Sequence, residues 1–312
     1  MLSPLSMFMN RNIIITSVSA VLLCLSCNKF EGDQTVPAFI SIDKIEVAND
    51  PHNSISNYSG CFTSNIDAVQ ITLRNSEENH QLGVFSLPCR VPVLRKGEYT
   101  ISLMTVIKLN GIAATRSSYP FYRNINIKKQ TLTPDRCLEL GSQTTYYDST
   151  GFLFKVWEEY FEPEIPTLSL PDTIVHRVSS FDTVRSDRGC GAVYLKSDQS
   201  AVTFITNEEF TVTNNGALFL ELDYWTNVPL SVGLCSRTSL NSKYETYYAI
   251  SLYPNFDKGW NKIYIQLGKL WSQYSYYKQF HIAFQAVNSN GIEGKVYIDN
   301  IKLTAYKGTE KY

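Results

Sequence analysis

Few residues in this chain have the type and spacing that catalysis requires. The histidines, His52, His80, His176 and His281, stand apart from one another, and no His-Glu-x-x-His is present. A Cys-x-x-Cys spacing occurs only at Cys24 and Cys27, inside the N-terminal apolar run. A zinc centre is therefore not expected. There is no Gly-x-Ser-x-Gly turn for a serine nucleophile and no glycine loop to cradle phosphate. Paired acids occur at Glu158-Glu159, Glu162 with Glu164, and Glu208-Glu209. A glycosidase needs two carboxyls facing across a cleft, and neighbours on one turn do not supply that. The expectation is a protein without catalysis.

The residues that can recognise something are aromatic. Trp225, Tyr247, Tyr248, Trp271, Tyr274, Tyr276 and Tyr277 are candidates for a stacking surface, and Trp225, Trp271, Tyr274, Tyr276 and Tyr277 are the ligand-binding set. The run Trp271-Ser-Gln-Tyr-Ser-Tyr-Tyr277 is too polar for a core strand and lies between two strong strand patterns. It reads as an exposed loop, where Tyr and Ser make contacts at low entropic cost. Trp157 and Trp260 are assigned to the core.

Cysteines come next. Beyond Cys27 the mature chain would carry Cys61, Cys89, Cys137, Cys190 and Cys235, an odd number. Cys61 with Cys89 or Cys137, and Cys190 with Cys235, are the candidate pairs in an oxidising compartment, and buried free thiols are the alternative.

The elements that must position these residues are strands. The chain has 312 residues, enough for two domains. Hydrophobic residues make up 44%, charged residues 18%, and the net charge is -1, which leaves no field for nucleic acid or anionic lipid. Residues 36–140 hold short alternating runs: Phe39 to Val47, Val69-Ile71-Leu73, Tyr99-Ile101-Leu103, and Ile125-Ile127. Pro88 and Pro92 interrupt the stretch from Gly83 to Leu94, and Asn110-Gly111 marks a hairpin. This spacing suggests an immunoglobulin-like β-sandwich.

Residues 141–150 read as a linker, and residues 151–312 as a second all-β sandwich. There Leu218, Leu220, Leu222 and Tyr224 form one strand face, with Phe219, Glu221, Asp223 and Trp225 on the other. Ile263-Ile265-Leu267 and Ile282-Phe284-Ala286 alternate in the same way. The apolar parity switches between Val296-Ile298 and Ile301-Leu303, which calls for a β-bulge at Asp299-Asn300. No stretch of this half carries a capped helical period.

The N-terminus reads as an address. Arg11 precedes a short apolar run from Ile13 to Leu25, with Met7 and Met9 as further candidate starts. Residues 1–26 form the expected signal peptide and residues 27–35 a polar tether.

Two resemblances add to these readings. Leu25-Ser26-Cys27 resembles a bacterial lipobox, with Cys24 in place of the usual Leu, and the whole N-terminus is similar to that of Bacteroidota-type lipoproteins. This implies a palmitate-type lipid anchor on Cys27 and a place on the outer membrane, at the cell surface or the periplasmic face. The Trp260 phrase and the closing Tyr297-Ile298-Asp299-Asn300-Ile301 phrase resemble the last strands of galactose-binding-like jelly rolls, the fold of many carbohydrate-binding modules. The resemblance extends back to about Gly151 and covers roughly half the chain. It implies a jelly roll that binds a glycan or a protein partner. It also implies that a structural calcium is the one cofactor to look for, with Asp299 the one nameable ligand. Closing the bulge through backbone amides is the preferred role for that side chain. The rival reading is an accessory subunit of an outer-membrane assembly or export complex, with an outer-membrane protein as partner; a glycan-processing enzyme ranks third.

Overall fold

The computed structural model describes residues 36–50, 62–148, 153–162, 167–170, 175–179, 185, 189–212, 218–239, 241–274 and 279–306. Cys27 and the signal and tether segments lie outside them. Among the described residues no helix is long and apolar enough to cross a membrane. The fold is all-β apart from short turns of helix.

The first sandwich holds β1 (Ala38–Val47), β2 (Ala68–Arg74), β3 (Asn79–Ser86), β4 (Cys89–Val93), β5 (Gly97–Lys108), β6 (Arg116–Ser118), β7 (Ile125–Leu132) and β8 (Cys137–Thr145). One sheet runs β4-β1-β8; the other runs β3-β2-β5-β6, with β7 also on β5. Ile40, Ile42, Val69, Ile71, Leu73, Ile101 and Leu103 fill the space between them. Pro88 falls where the chain leaves one sheet and enters the other, and Pro92 lies in the edge strand β4 opposite Phe39, so no central ladder loses a donor. Strand β8 runs to Thr145, and the backbone N–H of Asp148 donates to the Phe121 carbonyl. Much of the segment read as a linker, 141–150, therefore belongs to this sandwich.

The second sandwich holds β9 (Leu153–Glu159), β10 (Leu168–Leu170), β11 (His176–Val178), β12 (Cys190–Leu195), β13 (Ala201–Thr206), β14 (Phe210–Thr211), β15 (Phe219–Thr226), β16 (Leu230–Ser236), β17 (Glu245–Leu252), β18 (Asn261–Gln266), the helix α1 (Gly268–Tyr274), β19 (Gln279–Val287) and β20 (Gly294–Tyr306). One sheet runs β11-β12-β20-β15-β18, with β9 also on β20; the other runs β10-β13-β19-β16-β17, with β14 also on β19. Leu220, Leu222, Val232, Leu234, Ile263, Ile265, Ile282, Phe284, Val296, Ile298, Ile301 and Leu303 meet between the sheets.

The bulge sits where the parity switch requires it. Glu221 pairs with Lys302 and Asp223 with Asp299, so β20 uses one more residue than β15 over that interval, and Asn300 takes a positive φ of 48°. Both Ile298 and Ile301 then face the core.

The two sandwiches dock on each other. Tyr119, Phe121, Tyr122 and Tyr147 of the first pack against Phe219 and Tyr264 of the second. The Asn110-Gly111 hairpin tip belongs to this joint. The Asn110 N–H donates to the Tyr264 carbonyl at 2.8 Å, and its Oδ1 accepts the Gln266 N–H at 3.0 Å. Both residues take positive φ, 54° and 68°, as such a tip demands.

Candidate functional site

The outer faces of the second sandwich differ. The face of the β11-β12-β20-β15-β18 sheet carries Glu221, Asp223, Lys262, Asp299 and Lys302, and all five are buried. The first sandwich reaches four of them, Glu221, Asp223, Lys262 and Lys302. Glu221 accepts the Tyr119 hydroxyl at 2.6 Å and the Tyr147 hydroxyl at 2.7 Å, and pairs with Lys262 at 3.2 Å. Lys302 lies over the Tyr147 ring, 5.8 Å from its centroid. The hydroxyls of Tyr122 and Tyr264 meet at 3.0 Å, and the Asn65 N–H donates to Tyr264 at 3.1 Å. Burial, and next the Glu221 charge, hold the phenols of Tyr119, Tyr122, Tyr147 and Tyr264 well above the usual tyrosine range, so they remain donors. Burial pulls Lys302 down to about 8. These five charges have side chains almost wholly removed from solvent, which fits a structural role.

Where the covered face ends, a rim of rings begins. Trp225 stacks on Phe256 with centroids 4.7 Å apart, and its indole N–H donates to the Phe256 carbonyl at 2.9 Å. Trp260 and Tyr297 close in on the same ring at 6.3 and 5.6 Å. Trp225 therefore has its ring contacts inside the protein. Trp260, assigned to the core, is instead half-buried in this outer cluster with Cys190, Ala192 and Tyr297. Trp157 does join the core.

Trp271 corrects the expectation of an exposed loop. It lies in α1, is 2% exposed, packs on Phe280 at 4.5 Å and donates its indole N–H to the Val212 carbonyl at 3.2 Å. A seven-residue helix directs this one ring into the end of the sandwich while Ser272 and Gln273 stay outside. Tyr274 ends α1, and Tyr276 and Tyr277 lie outside the described residues.

The other outer face, on the β10-β13-β19-β16-β17 sheet, is open: among the described residues no element lies across it. Register lines up Thr203, Gln285, Ser231 and Ser251 as one row across four strands. Gln285 Nε2 donates to Thr203 Oγ1 at 3.2 Å, and the Ser231 and Ser251 hydroxyls meet at 2.7 Å. The next row is Ile205, Ala283, Gly233 and Tyr248. Burial raises the Tyr248 phenol and the Thr203 side chain, three strands away, acts against that shift, which directs the hydroxyl toward Thr203. To point there the ring must lie along the sheet over Gly233 and Ala283 rather than stand off it. It is 36% exposed, so one side of a flat ring faces solvent beside the polar row.

Gly233 makes room for this arrangement. A Cβ there would sit 2.0 Å from the Tyr247 carbonyl oxygen and 2.7 Å from the Tyr248 Cα. At the edge of the face Glu209 accepts the Tyr244 hydroxyl and lies 3.7 Å from both Arg237 and His281. Arg237 sits 5.0 Å over the Tyr244 ring.

The arrangement can hold a flat, hydroxylated ligand by stacking and hydrogen bonds. Sequence reading included Tyr248 among seven rings, yet nothing local to it signals its posture, which depends on Gly233 and Ala283 from other strands.

Asp299 Oδ1 accepts the Asn300 backbone N–H at 2.7 Å, the bulge-closing role preferred for it. Among the described residues no group of three or more His, Cys, Asp or Glu gathers to hold a metal. Glu159 is fully engaged by the Phe161 and Thr167 N–H groups and the Thr167 hydroxyl.

Among the described residues Cys89, Cys137, Cys190 and Cys235 form no disulfide with one another. Cys190 and Cys235 lie on opposite sheets, each off the core-facing parity, so they cannot bond; Cys89 and Cys137 flank β1 on opposite sides. Cys61 lies outside the described residues.

No family model matches the chain, and no curated protein is similar to it. Solved structures similar to part of it are carbohydrate-binding modules. One, TmCBM61 in complex with beta-1,4-galactotriose, is 10% identical, covering 45% of this chain and 87% of its own, with a TM-score of 0.29. A mutant family 29 module complexed with mannohexaose is 11% identical, covering 47% and 89%, with a TM-score of 0.33. The family 30 module of a Clostridium thermocellum cellulosomal cellulase is 11% identical, covering 49% and 96%, with a TM-score of 0.31. The fold assignment above rests on the strand pairings themselves.

Proposed function

We propose that this chain is a non-catalytic glycan-binding protein that holds its ligand on the open face of the second sandwich, with the Tyr248 ring as platform. The supporting observation is the ring laid over Gly233 and Ala283 with one side free, next to the row Thr203, Gln285, Ser231 and Ser251. A pyranose presents an apolar face to such a ring and hydroxyls to such a row. Binding then needs no covalent step. In this reading the first sandwich is a rigid mount, since Tyr119 and Tyr147 bond Glu221 across the joint and Lys262 pairs with it.

The proposal includes export and anchoring through Cys27 on the outer membrane, on the strength of the lipobox-like Leu25-Ser26-Cys27. Incorporation of labelled palmitate by the wild-type chain and not by Cys27→Ala would support it. The glycan reading is tested on an array of neutral oligosaccharides with the soluble mature chain. Retention of a ligand by wild type, its loss in Tyr248→Ala, and no cleavage of that ligand are expected. Binding that survives Tyr248→Ala, or hydrolysis of the bound glycan, would sink it.

A further inference from the structure

The joint between the sandwiches leaves a cleft whose polar groups form a directed chain. Asn65, Lys108 and Gly111 line it from the first sandwich, and Tyr224, Asn261 and Ile263 from the second. A Cβ on Gly111 would sit 3.3 Å from Ile263 Cδ1, so the hairpin tip closes one wall. The cleft holds about 210 Å³. A cavity of about 150 Å³ takes benzene, so this one suits a molecule of about six to ten non-hydrogen atoms. Boundaries between domains are common places for such ligands.

The Lys262 backbone carbonyl sets the direction of the chain. It can only accept, so the Asn65 atom 3.0 Å away is Nδ2. That Nδ2 also donates to Asn261 at 3.2 Å, which makes the accepting atom Oδ1. The Asn261 Nδ2 then faces the Tyr224 hydroxyl and donates to it at 3.2 Å. The phenol oxygen is thus an acceptor here, and its own proton points elsewhere. Among the described residues nothing accepts that proton. Tyr224 is 7% exposed and its ring packs in the core, so the hydroxyl is the end that reaches the cleft. A buried donor without an acceptor is unfavourable, and a ligand oxygen answers it. At the head of the chain, Asn65 Oδ1 receives no donor among the described residues.

Lys108 supplies charge. Its ammonium and the Arg116 guanidinium meet the same Asp67 oxygen at 3.1 and 2.8 Å, so two cations share one carboxylate. Arg116 holds that oxygen through two N–H groups, which leaves Lys108, with a side chain 37% exposed, as the surplus cation. The Lys262 ammonium is paired with Glu221 at 3.2 Å.

We propose that this cleft binds a small hydroxy acid across the two sandwiches. Its carboxylate accepts the Tyr224 proton and faces the Lys108 charge, and its hydroxyl donates to Asn65 Oδ1. Hydrogen bonds with a charged partner are about twice as strong as neutral ones, so the carboxylate supplies most of the affinity. Asn65 and Lys108 belong to one sandwich and Tyr224 to the other, so a bound ligand also holds the joint together. The site is separate from the open face and does not depend on the glycan reading.

The test uses lactate as the probe on the full mature chain, with propane-1,2-diol as its neutral counterpart and sodium chloride as the ionic control. Calorimetry is expected to show saturable lactate binding, and binding of the diol at least about tenfold weaker. Tyr224→Phe removes the hydroxyl alone and should weaken lactate about tenfold, and Lys108→Met keeps the stem and should weaken it several-fold. No saturable binding, equal binding of the diol, or lactate affinity unchanged in either variant would overturn the proposal. NMR of the wild type gives a second reading should Tyr224→Phe not fold. The side-chain amide signals of Asn65 and Asn261 should move with lactate and stay in place with the diol and with sodium chloride. Signals that move equally with chloride, or lactate shifts confined to the open face, would overturn it.

Discussion

Two outer faces of one sandwich arise from the same alternation and end in opposite states. On β15 the residues off the core are Phe219, Glu221 and Asp223; on β16 they are Ser231, Gly233 and Cys235. The first set carries charge and is sealed by a neighbouring domain, which must then supply a partner for each charge. The second set is small and neutral, and it leaves space in which a tyrosine from β17 can lie down. Full charges off the core mark the joint, and small residues mark the open face. Buried charge needs fixed partners, while a ligand that comes and goes is better served by groups that cost little to desolvate.

Variants can break or sharpen this contrast. The largest effect is expected from Glu221→Leu, which removes the acceptor of two phenols and leaves Lys262, 1% exposed, without its counter-charge. Loss of about 3–5 kcal/mol in urea unfolding is expected, with ligand binding retained under conditions where the variant stays folded. A loss below about 1 kcal/mol would mean that the joint is not the rigid mount described. Gly233→Ala comes next. Its Cβ meets backbone, so β17 must shift, at a cost of about 1–3 kcal/mol with weaker ligand binding; an alanine accepted without change in either would contradict the close approach.

Tyr248→Ala should cost about 1 kcal/mol in unfolding, from the ring side that covers Gly233 and Ala283, and lower glycan affinity about tenfold, or about 1.4 kcal/mol. Calorimetry on the two proteins reads both quantities. The smallest effect on binding belongs to Trp225→Ala. Its ring contacts are Phe256, Trp260 and Tyr297, so glycan affinity should stay within about twofold. A larger drop would move the site to the rim.

Much of the fold is legible in the sequence because a strand with one face in a core announces itself by alternation. The parity switch at Asp299-Asn300 even gives the bulge. What the alternation does not reveal is the fate of the second face. Glu221 and Asp223 read as solvent-side residues, and only the docking of Tyr119, Tyr147 and Thr63, 74 to 160 residues away in sequence, makes them buried. The Asn110-Gly111 turn is legible as a turn, but its bonds to Tyr264 and Gln266 are not. The same limit explains the site. Trp271 looks exposed because its neighbours are polar and a seven-residue helix is too short to show a period. Tyr248 is visible as a ring among others, but its posture depends on Gly233 and Ala283, which register alone places beneath it.

The open-face account is tested most directly by mapping amide shifts of the full mature chain, by NMR, as an array-identified glycan is added. The account predicts that shifts concentrate at Thr203, Ser231, Gly233, Tyr248 and Gln285 and leave Trp225, Phe256 and Trp260 in place. Shifts confined to that second group, with the first unmoved, would contradict it.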